Sequence, residues 1–281
     1  MVSRNTLSRE FSLDGIGVHS GKPVRLTLVP SEAGAIVFRR SDLGGWETPL
    51  AAAGFEALNS TTVVGERFKV RTVEHLLAAM FANGVASAVI VLDADEVPIM
   101  DGSARPFVRA LEEAGTRVLK SPGRGLRISR PFAVSDGGAS IVAEPPCVDD
   151  VLDLSYAIEY AHPAIGRQSF SVRLTPGEFA REIAPARTFG FLGDVEELHR
   201  RGLALGASYE NTVVLDAGAV ISGPLRFPDE FVRHKLLDLA GDLALLGRPL
   251  AGRVTAHKAG HRLHLEAVKF LLANPDFTEP F

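Results

Sequence analysis

The sequence predicts an α+β fold, and two kinds of pattern support this. Alternating apolar and polar residues, as at 24–29, are typical of half-buried strands. Two longer segments, at 72–84 and 226–242, instead have apolar residues at helical spacing and boundary residues typical of helices. Strands and helices therefore both contribute to the predicted core.

The order of these elements repeats, which predicts two copies of one α+β unit. In each half, a helix that carries a histidine is followed by a strand, a glycine-containing loop and a final helix. The offset from His75 to Asp101 equals that from His234 to Gly260. Such copies would bring equivalent helix starts near each other across an approximate two-fold axis.

A linker is predicted between the two copies. Residues 120–125 include a Ser-Pro-Gly sequence, which is flexible and polar. We therefore expect a first α+β domain at 1–120 and a second at 126–281.

Further strands and turns are predicted in the first half. Strand 35–38 is expected to pair with strand 24–29, and segments 61–64 and 68–70 are expected to form a hairpin. The acids at 93–96 follow a buried strand, and their spacing favours a solvated turn over a calcium loop.

The remaining elements lie mainly in the second half. We predict short helices at 107–114 and 194–201, and a last helix that follows His264 and ends at Leu272. Strands are predicted at 126–128, 139–143, 152–160, 167–174, 212–215 and 250–255.

The first long helix is predicted to be buried, although it begins with ionisable residues. Thr72 can cap it, and an Asn-Gly pair at 83–84 can end it. Nearly every residue after His75 is apolar, so burying Glu74 and His75 is costly unless the protein uses them. A capping-turn glutamate with a hydrogen-bonded core histidine is the alternative.

The second long helix carries a stripe of possible metal ligands. Asp229 can cap it, and His234, Asp238 and Asp242 follow at i, i+4 and i+8 on one face. A histidine and a carboxylate one turn apart can bind one metal ion. A solvated polar face with a hydrogen-bonded histidine is the alternative on this segment alone.

Together the two helices supply the ligands of a catalytic metal. His75, His234 and Asp238 are two imidazoles and one carboxylate, the set that binds catalytic zinc with one position open. Glu74 adjoins a ligand, so it can take a proton from a metal-bound water. The same ligand set can also hold Fe(II) for oxygen chemistry.

Four further residues suit amide or ester hydrolysis at this metal. His261 can protonate a leaving group, and Asp242 can orient it and keep it protonated. Lys235 suits a phosphate or a developing oxyanion, to which Thr188 can also donate. An oxygenase has less use for these groups.

Composition excludes several classes of protein. The chain has 281 residues, 46% of them hydrophobic, and a net charge of −4, which gives no nucleic-acid signature. The single cysteine, Cys147, rules out an intramolecular disulfide. The first fifteen residues lack the apolar core of a signal peptide, and no apolar run reaches membrane-spanning length. We expect a cytoplasmic monomer that acts on a small molecule.

Several blocks of sequence occur in a specific order: TVEHL (72–76), EVPIMDGSA (96–104), ARTFGF (186–191), FVRHK with two following aspartates (231–242), and KAGH (258–261). With the glycine-rich segment 15–21, they resemble the UDP-3-O-acyl-N-acetylglucosamine deacetylases, zinc amidases of lipid A synthesis. The resemblance covers nearly the whole chain.

The resemblance implies a fold and a set of catalytic roles. Two similar α+β domains would form a sandwich with helices packed between sheets and the active site at the domain interface. Zn²⁺ would be the cofactor and an acylated UDP-sugar the substrate. The catalytic groups would be three metal ligands (His75, His234 and Asp238), a general base (Glu74), and an acid with its supporting carboxylate (His261 and Asp242).

The resemblance also implies how substrate is bound. Thr188 and Lys235 would contact reacting or substrate oxygens, Phe189 would pack on the sugar, and Gly206 would contribute to substrate binding. Segment 191–209, rich in Phe, Leu and Gly, would form a passage for the acyl chain.

Some residues depart from the family pattern or have no role in it. The family often has two glycines where Gly206 and Ala207 stand, and an Asn near His264. These departures bear on acyl-chain length. We expect His19 near the site, and His257 and His264 at the surface; a second metal near His261 is the alternative for these two. A non-catalytic relative on the same scaffold that only binds a nucleotide sugar or lipid is a further alternative, although a binder needs no general base.

Overall fold

The computed structural model describes residues 5–120, 124–148 and 150–281, so the centre of the predicted linker, 121–123, lies outside the described residues. Within these ranges the chain contains several separate sheets and a few helices, and the α+β prediction is confirmed. No helix of the described ranges is long and apolar enough to cross a membrane.

The first part of the chain contains two helices, α1 (Glu74–Ala82) and α2 (Arg105–Ala114). Its strands are β1 (Asn5–Leu7), β2 (Phe11–Ile16), β3 (Pro23–Pro30), β4 (Ile36–Arg40), β5 (Trp46–Pro49), β6 (Gly54–Ala57), β7 (Thr61–Val64), β8 (Lys69–Val70), β9 (Ala88–Leu92) and β10 (Thr116–Val118).

These strands form one five-stranded sheet, in the order β2-β3-β9-β4-β5, and two small sheets, β6-β7-β8 and β1-β10. The expected pairing of β4 with β3 is wrong, because β9 lies between them, antiparallel to β3 and parallel to β4. Every residue of β9 is apolar, which suits a central strand with a neighbour on each side. The hairpin expected at 61–70 is confirmed as β7 and β8.

The second part contains the helices α3 (Pro176–Glu178), α4 (Val195–Arg200), α5 (Glu230–Leu243) and α6 (His261–Ala273). Its strands are β11 (Leu126–Ile128), β12 (Phe132–Asp136), β13 (Ala139–Glu144), β14 (Leu152–Glu159), β15 (Arg167–Arg173), β16 (Phe189–Phe191), β17 (Val213–Leu215), β18 (Leu250–His257) and β19 (Thr278–Pro280).

The larger sheet of this part is organised around β18, which pairs with β11, β13 and β14. β12 extends it beside β13, β15 beside β14, and β19 beside β11. All strands of this sheet follow residue 125 and all strands of the five-stranded sheet precede residue 93. The division into two domains remains our proposal.

Both expected helix caps are wrong. Thr72 lies before α1 with a φ of 56°, and its hydroxyl donates to Glu96 Oε1 at 3.0 Å instead of capping the helix. Asp229 precedes α5, but its carboxylate accepts from Arg233 Nε at 2.6 Å. Glu96, from a different segment, binds the Thr72 hydroxyl, and Arg233, one turn into α5, binds the Asp229 carboxylate, so neither side chain is available to cap its helix.

The expected solvated turn at 93–96 is wrong for Glu96, which is completely buried. Its carboxylate accepts from the backbone N–H groups of His19 and Ser20, both at 2.8 Å. The preceding Asp93 is exposed, as expected.

Close packing of α1 on α5 positions the site. Gly241 on α5 touches the backbone of α1, where a Cβ atom would lie 2.1 Å from the Glu74 carbonyl oxygen. α5 also packs on β14 and β15. The first turn of α1 is thereby held against the C-terminal part of α5, and both segments carry predicted site residues.

Candidate active site

The three predicted metal ligands lie together. Ligand atoms of His75, His234 and Asp238 lie within 4.8 Å of one another, and all three residues are buried. Asp238 Oδ1 is 3.3 Å from His234 Nε2 and 3.8 Å from His75 Nε2. The i, i+4 spacing on α5 aligns two of the ligands, and α1 brings the third.

The polar atoms of this group fit a bound cation. Within the described residues, Asp238 Oδ1 is buried without a hydrogen-bond partner, which is costly for a carboxylate oxygen. His234 Nδ1 lies 3.1 Å from the Ala186 carbonyl oxygen, to which its N–H donates, so the Nε2 lone pair faces Asp238. Two imidazoles and one carboxylate with an open position suit Zn²⁺.

Burial sets the charges of these ligands. It lowers the pKa of His75 to about 3, with a further contribution from His234, and it also lowers the pKa of His234. Burial opposes ionisation of Asp238, but neighbouring positive charge, including that of Lys235, holds its pKa well below the usual range. The ligands are thus two neutral imidazoles and one carboxylate at neutral pH, the forms that bind metal.

Glu74 occupies the position of a general base beside the ligands. Its Oε2 accepts from the Thr61 backbone N–H at 3.0 Å, and its Oε1 is 3.8 Å from His261 Nε2. Burial raises the pKa of Glu74 to about 8, and the charges of Asp242 and Asp238 act in the same direction. A carboxylate with a pKa raised toward neutrality is suited to proton transfer.

His261 faces Glu74 from the start of α6. It is the first residue of that helix, so the prediction that the last helix begins only after His264 is wrong. Its Nδ1–H donates to Asp242 Oδ2 at 2.8 Å, and its Nε2 is 3.8 Å from Asp238 Oδ2. Burial alone would lower the pKa of His261, but Asp242 and Asp238 raise it to about 9. The imidazole is therefore protonated at neutral pH.

Asp242 connects more groups than the sequence indicates. Its Oδ2 also accepts from His264 Nδ1 at 2.7 Å, and its Oδ1 accepts from the Thr61 hydroxyl at 2.5 Å. His264 is completely buried, so the prediction of a surface histidine is wrong, whereas His257 is exposed as expected. The reason is helical spacing, since His264 follows His261 on the face of α6 that contacts α5.

Tyr156 completes this buried network, and no pattern in the sequence indicated it. Its hydroxyl donates to the Ala259 carbonyl oxygen at 2.8 Å and lies 2.9 Å from His264 Nε2. Tyr156 is part of the alternating strand β14, where an aromatic residue is ordinary.

Lys235, Thr188 and Phe189 lie around the metal-ligand group. Lys235 Nζ donates to Asp238 Oδ2 at 2.8 Å; burial would lower its pKa, but Asp238 raises it to about 12, so the ammonium stays charged. The Phe189 ring packs edge-on against Phe231, with centroids 5.1 Å apart. Thr188 is held by its backbone N–H, which donates to the Gly102 carbonyl oxygen at 2.8 Å.

A cavity of about 190 Å³ opens onto Glu74 and His75. Thr188, Phe189 and His19 line it, so His19 lies near the site as expected. The rest of its lining is largely apolar, including Val18, Ile99, Phe191, Val195, Leu198, Ala204, Ala207 and Val214.

A second cavity, of about 320 Å³, adjoins the first and shares Val195, Ala204, Ala207 and Val214 with it. Much of segment 191–209 therefore lines two adjoining cavities, largely apolar, beside the predicted catalytic groups. Gly206 lies behind this lining, where a Cβ atom would come 2.3 Å from the Gly17 carbonyl oxygen.

Comparison with known proteins agrees with this arrangement. A family model described as UDP-3-O-acyl N-acetylglycosamine deacetylase matches residues 4–273. Similar proteins, each named UDP-3-O-acyl-N-acetylglucosamine deacetylase, occur in Myxococcus xanthus (43% identity over 281 residues, covering 99% of this chain and 88% of that protein) and Geobacter sp. strain M21 (42% over 284 residues, covering 98% and 91%). Another, from Leptospira biflexa, is 40% identical over 277 residues and covers 97% of this chain and 91% of that protein. The chain therefore belongs to the UDP-3-O-acyl N-acetylglycosamine deacetylase family.

Proposed function

We propose that this chain hydrolyses the N-acetyl group of UDP-3-O-acyl-N-acetylglucosamine, releases acetate, and uses zinc to do so. In lipid A biosynthesis this is the committed step. One observation carries the assignment. Glu74 and His261 lie close together beside a buried set of possible metal ligands, and a largely apolar cavity opens onto Glu74. A protein that only bound the substrate would need neither an acid nor a base there.

His75, His234 and Asp238 would hold the zinc. When bound, the ion would supply Lewis-acid polarisation and a water of lowered pKa. The neutral imidazoles and the unpaired Asp238 Oδ1 support this ligand assignment.

Glu74 and His261 divide the proton transfers between them. Glu74, once ionised, takes a proton from the attacking water as the oxygen bonds to the acetyl carbon. His261 begins protonated and gives its Nε2 proton to the amide nitrogen, the C–N bond breaks, and acetate and the free amine result. Asp242 holds the imidazolium in place through Nδ1.

The remaining proposed contacts orient the substrate. Lys235 keeps its positive charge and suits the developing oxyanion or a substrate oxygen, and Thr188 can donate a hydroxyl there. Phe189 presents a ring to the sugar. Segment 191–209, with Gly206 supporting its wall, would receive the 3-O-acyl chain.

We further propose that the enzyme acts in the cytoplasm as a monomer on a soluble small molecule. The net charge of −4 gives no reason to expect a nucleic-acid partner.

Acetate release from purified protein tests the function. UDP-3-O-acyl-N-acetylglucosamine and unacylated UDP-N-acetylglucosamine are compared at equal concentration. Fast release from the acylated substrate alone supports both the amide hydrolysis and the acyl site. No release from either substrate by zinc-loaded protein contradicts the assignment.

A further inference from the structure

Glu96 is a buried carboxylate that the proposed chemistry does not use, yet three donors from two separate segments converge on it. Oε1 accepts from the His19 backbone N–H at 2.8 Å and the Thr72 hydroxyl at 3.0 Å. Oε2 accepts from the Ser20 backbone N–H at 2.8 Å. The nearest side-chain cation, Arg71 Nη2, is 3.9 Å from Oε2.

The segment 17–20 is built to lie directly on this carboxylate. A Cβ atom on Gly17 would come 2.1 Å from Glu96 Oε2, so only glycine permits this approach. Backbone N–H groups of two consecutive residues then point at the two carboxylate oxygens. Hydrogen bonds to an ionised acceptor are the strong ones, so this segment has a well-defined position.

Segment 17–20 in turn holds the segment 204–206. The Leu205 N–H donates to the His19 carbonyl oxygen at 3.1 Å, and the Gly206 N–H donates to the Val18 carbonyl oxygen at 3.0 Å. Val18 and His19 line the site cavity from one of these segments, and Ala204 lines it from the other. Glu96 therefore supports the cavity wall formed by segments 17–20 and 204–206, at the cavity where the acyl chain is proposed to bind.

The third donor links Glu96 to the catalytic helix. Thr72 is β-branched and has a φ of 56°, a conformation that costs energy and persists only where the surroundings impose it. Its hydroxyl bond to Glu96 fixes this conformation just before α1, which begins with Glu74 and His75. Glu96 thus holds both the start of α1 and the cavity wall in position.

We propose that Glu96 is a positioning residue that sets the cavity wall relative to the general base. This inference rests on the proposed function for its kinetic consequences, whereas the anchoring itself can be measured without turnover. Replacing Glu96 with Gln keeps the shape of the side chain but replaces one carboxylate oxygen with an NH₂ group. That NH₂ donor would face an N–H or O–H group that donates to the carboxylate in the wild type, so at least one hydrogen bond is lost.

Kinetics with two substrates provide the first test. For Glu96→Gln we expect the KM of a UDP-sugar with a long 3-O-acyl chain to rise about 10- to 100-fold, the effect of one lost bond to a charged acceptor. The KM for the same sugar with a two-carbon 3-O-acyl group should change much less. Asp93→Asn, which removes a charge from the same turn at an exposed position, should leave both KM values unchanged.

Amide hydrogen exchange provides the second test and needs no activity. Exchange in peptides covering 17–20 and 203–207 should be faster in Glu96→Gln than in wild type, while exchange in α5 stays unchanged. Equal KM changes for long and short substrates, or unaltered exchange at 17–20, would overturn the proposal. If wild type releases no acetate from any substrate, the proposed function fails, and the exchange result still decides the role of Glu96.

A second variant covers the case in which Glu96→Gln does not fold. Gly17→Ala places a methyl group against Glu96 Oε2 and displaces the wall without removing the carboxylate. We expect the same selective rise in KM for the long-chain substrate. A folded Gly17→Ala protein with wild-type KM for both substrates would contradict the proposal.

Discussion

Gly241 on α5 lies directly against the backbone of Glu74 on α1. A Cβ atom added to Gly241 would be 2.1 Å from the Glu74 carbonyl oxygen and 2.7 Å from its carbonyl carbon. This contact sets the separation of the two helices that carry the proposed general base and the proposed zinc ligands. A glycine inside a helix normally costs about 1 kcal/mol relative to alanine, and here the close approach requires it.

Gly241→Ala should therefore destabilise the protein and impair the site. We expect the free energy of unfolding to fall by about 1–3 kcal/mol, the usual cost of overpacking, and the rate of acetate release to fall with it. Urea unfolding and the deacetylation assay measure the two effects.

Gly177→Ala is the matched control, since Gly177 lies in α3 and no atom of the described residues would come within 4 Å of its added Cβ. It should unfold at the wild-type urea concentration or slightly above it. A Gly241→Ala protein as stable as this control would show that the helices can separate without cost.

Activity should decline on the alkaline side as His261 loses its proton. Its pKa of about 9 lies above the usual value because the carboxylates of Asp242 and Asp238 outweigh burial. The proton donor is thus present below pH 9 and lost above it. A nearby divalent cation disfavours the imidazolium, so in the zinc-loaded enzyme the dependence of kcat/KM on pH should show this decline at or below pH 9.

Asp242→Asn should move that decline to lower pH, since it removes the nearest negative charge from His261. The contribution of the His261–Asp242 ion pair to stability also decreases as the pH rises. The ion pair stabilises the fold fully below the unfolded pKa of His261, and this contribution is lost as the pH rises through about 9. An unmoved decline in Asp242→Asn would assign it to another group.

Protonation of Glu74 should cause the decline of activity on the acid side of the pH–activity profile. Without metal its pKa is about 8, mainly because it is buried. A nearby divalent cation favours the ionised form, so in the zinc-loaded enzyme the acid decline should lie below pH 8. An acid decline at or above pH 8 in the zinc-loaded enzyme would mean that Glu74 does not adjoin the metal.

Metal removal should cost stability as well as activity. Chelation leaves Asp238 Oδ1 buried without a partner, and it removes the linkage energy of binding, about 2.7 kcal/mol when zinc is at 100 times its dissociation constant. We expect the thermal midpoint to fall on chelation and to recover with added zinc. In Asp238→Asn, zinc should neither bind at stoichiometric level nor raise the midpoint.

The metal-ligand group could be predicted from sequence because its geometry is largely local. His234 and Asp238 are one helical turn apart, so their spacing places them on one face of α5, and Glu74 lies near His75 because it is the adjacent residue. Only the packing of α1 against α5 depends on tertiary structure, and the ordered sequence blocks indicated it.

Other features depend on contacts that no local pattern encodes. Glu96 reads as part of a solvated acidic turn, but segment 17–20 covers it. His264 is buried because α6 begins earlier than expected and turns that residue toward Asp242. Strand β12 was missed, although Gly137 and Gly138, both with positive φ, mark the turn into β13.

The most direct test of the account compares acetate release by zinc-loaded wild type, chelated wild type, and zinc-loaded Glu74→Gln. Wild type should turn over only with zinc, and one equivalent of zinc added to the chelated protein should restore the rate. Glu74→Gln should keep its zinc and its fold but lose about 10²- to 10⁴-fold in kcat, the usual contribution of a general base. An unchanged rate in Glu74→Gln, or full activity without metal, would contradict zinc-dependent hydrolysis with Glu74 as the base.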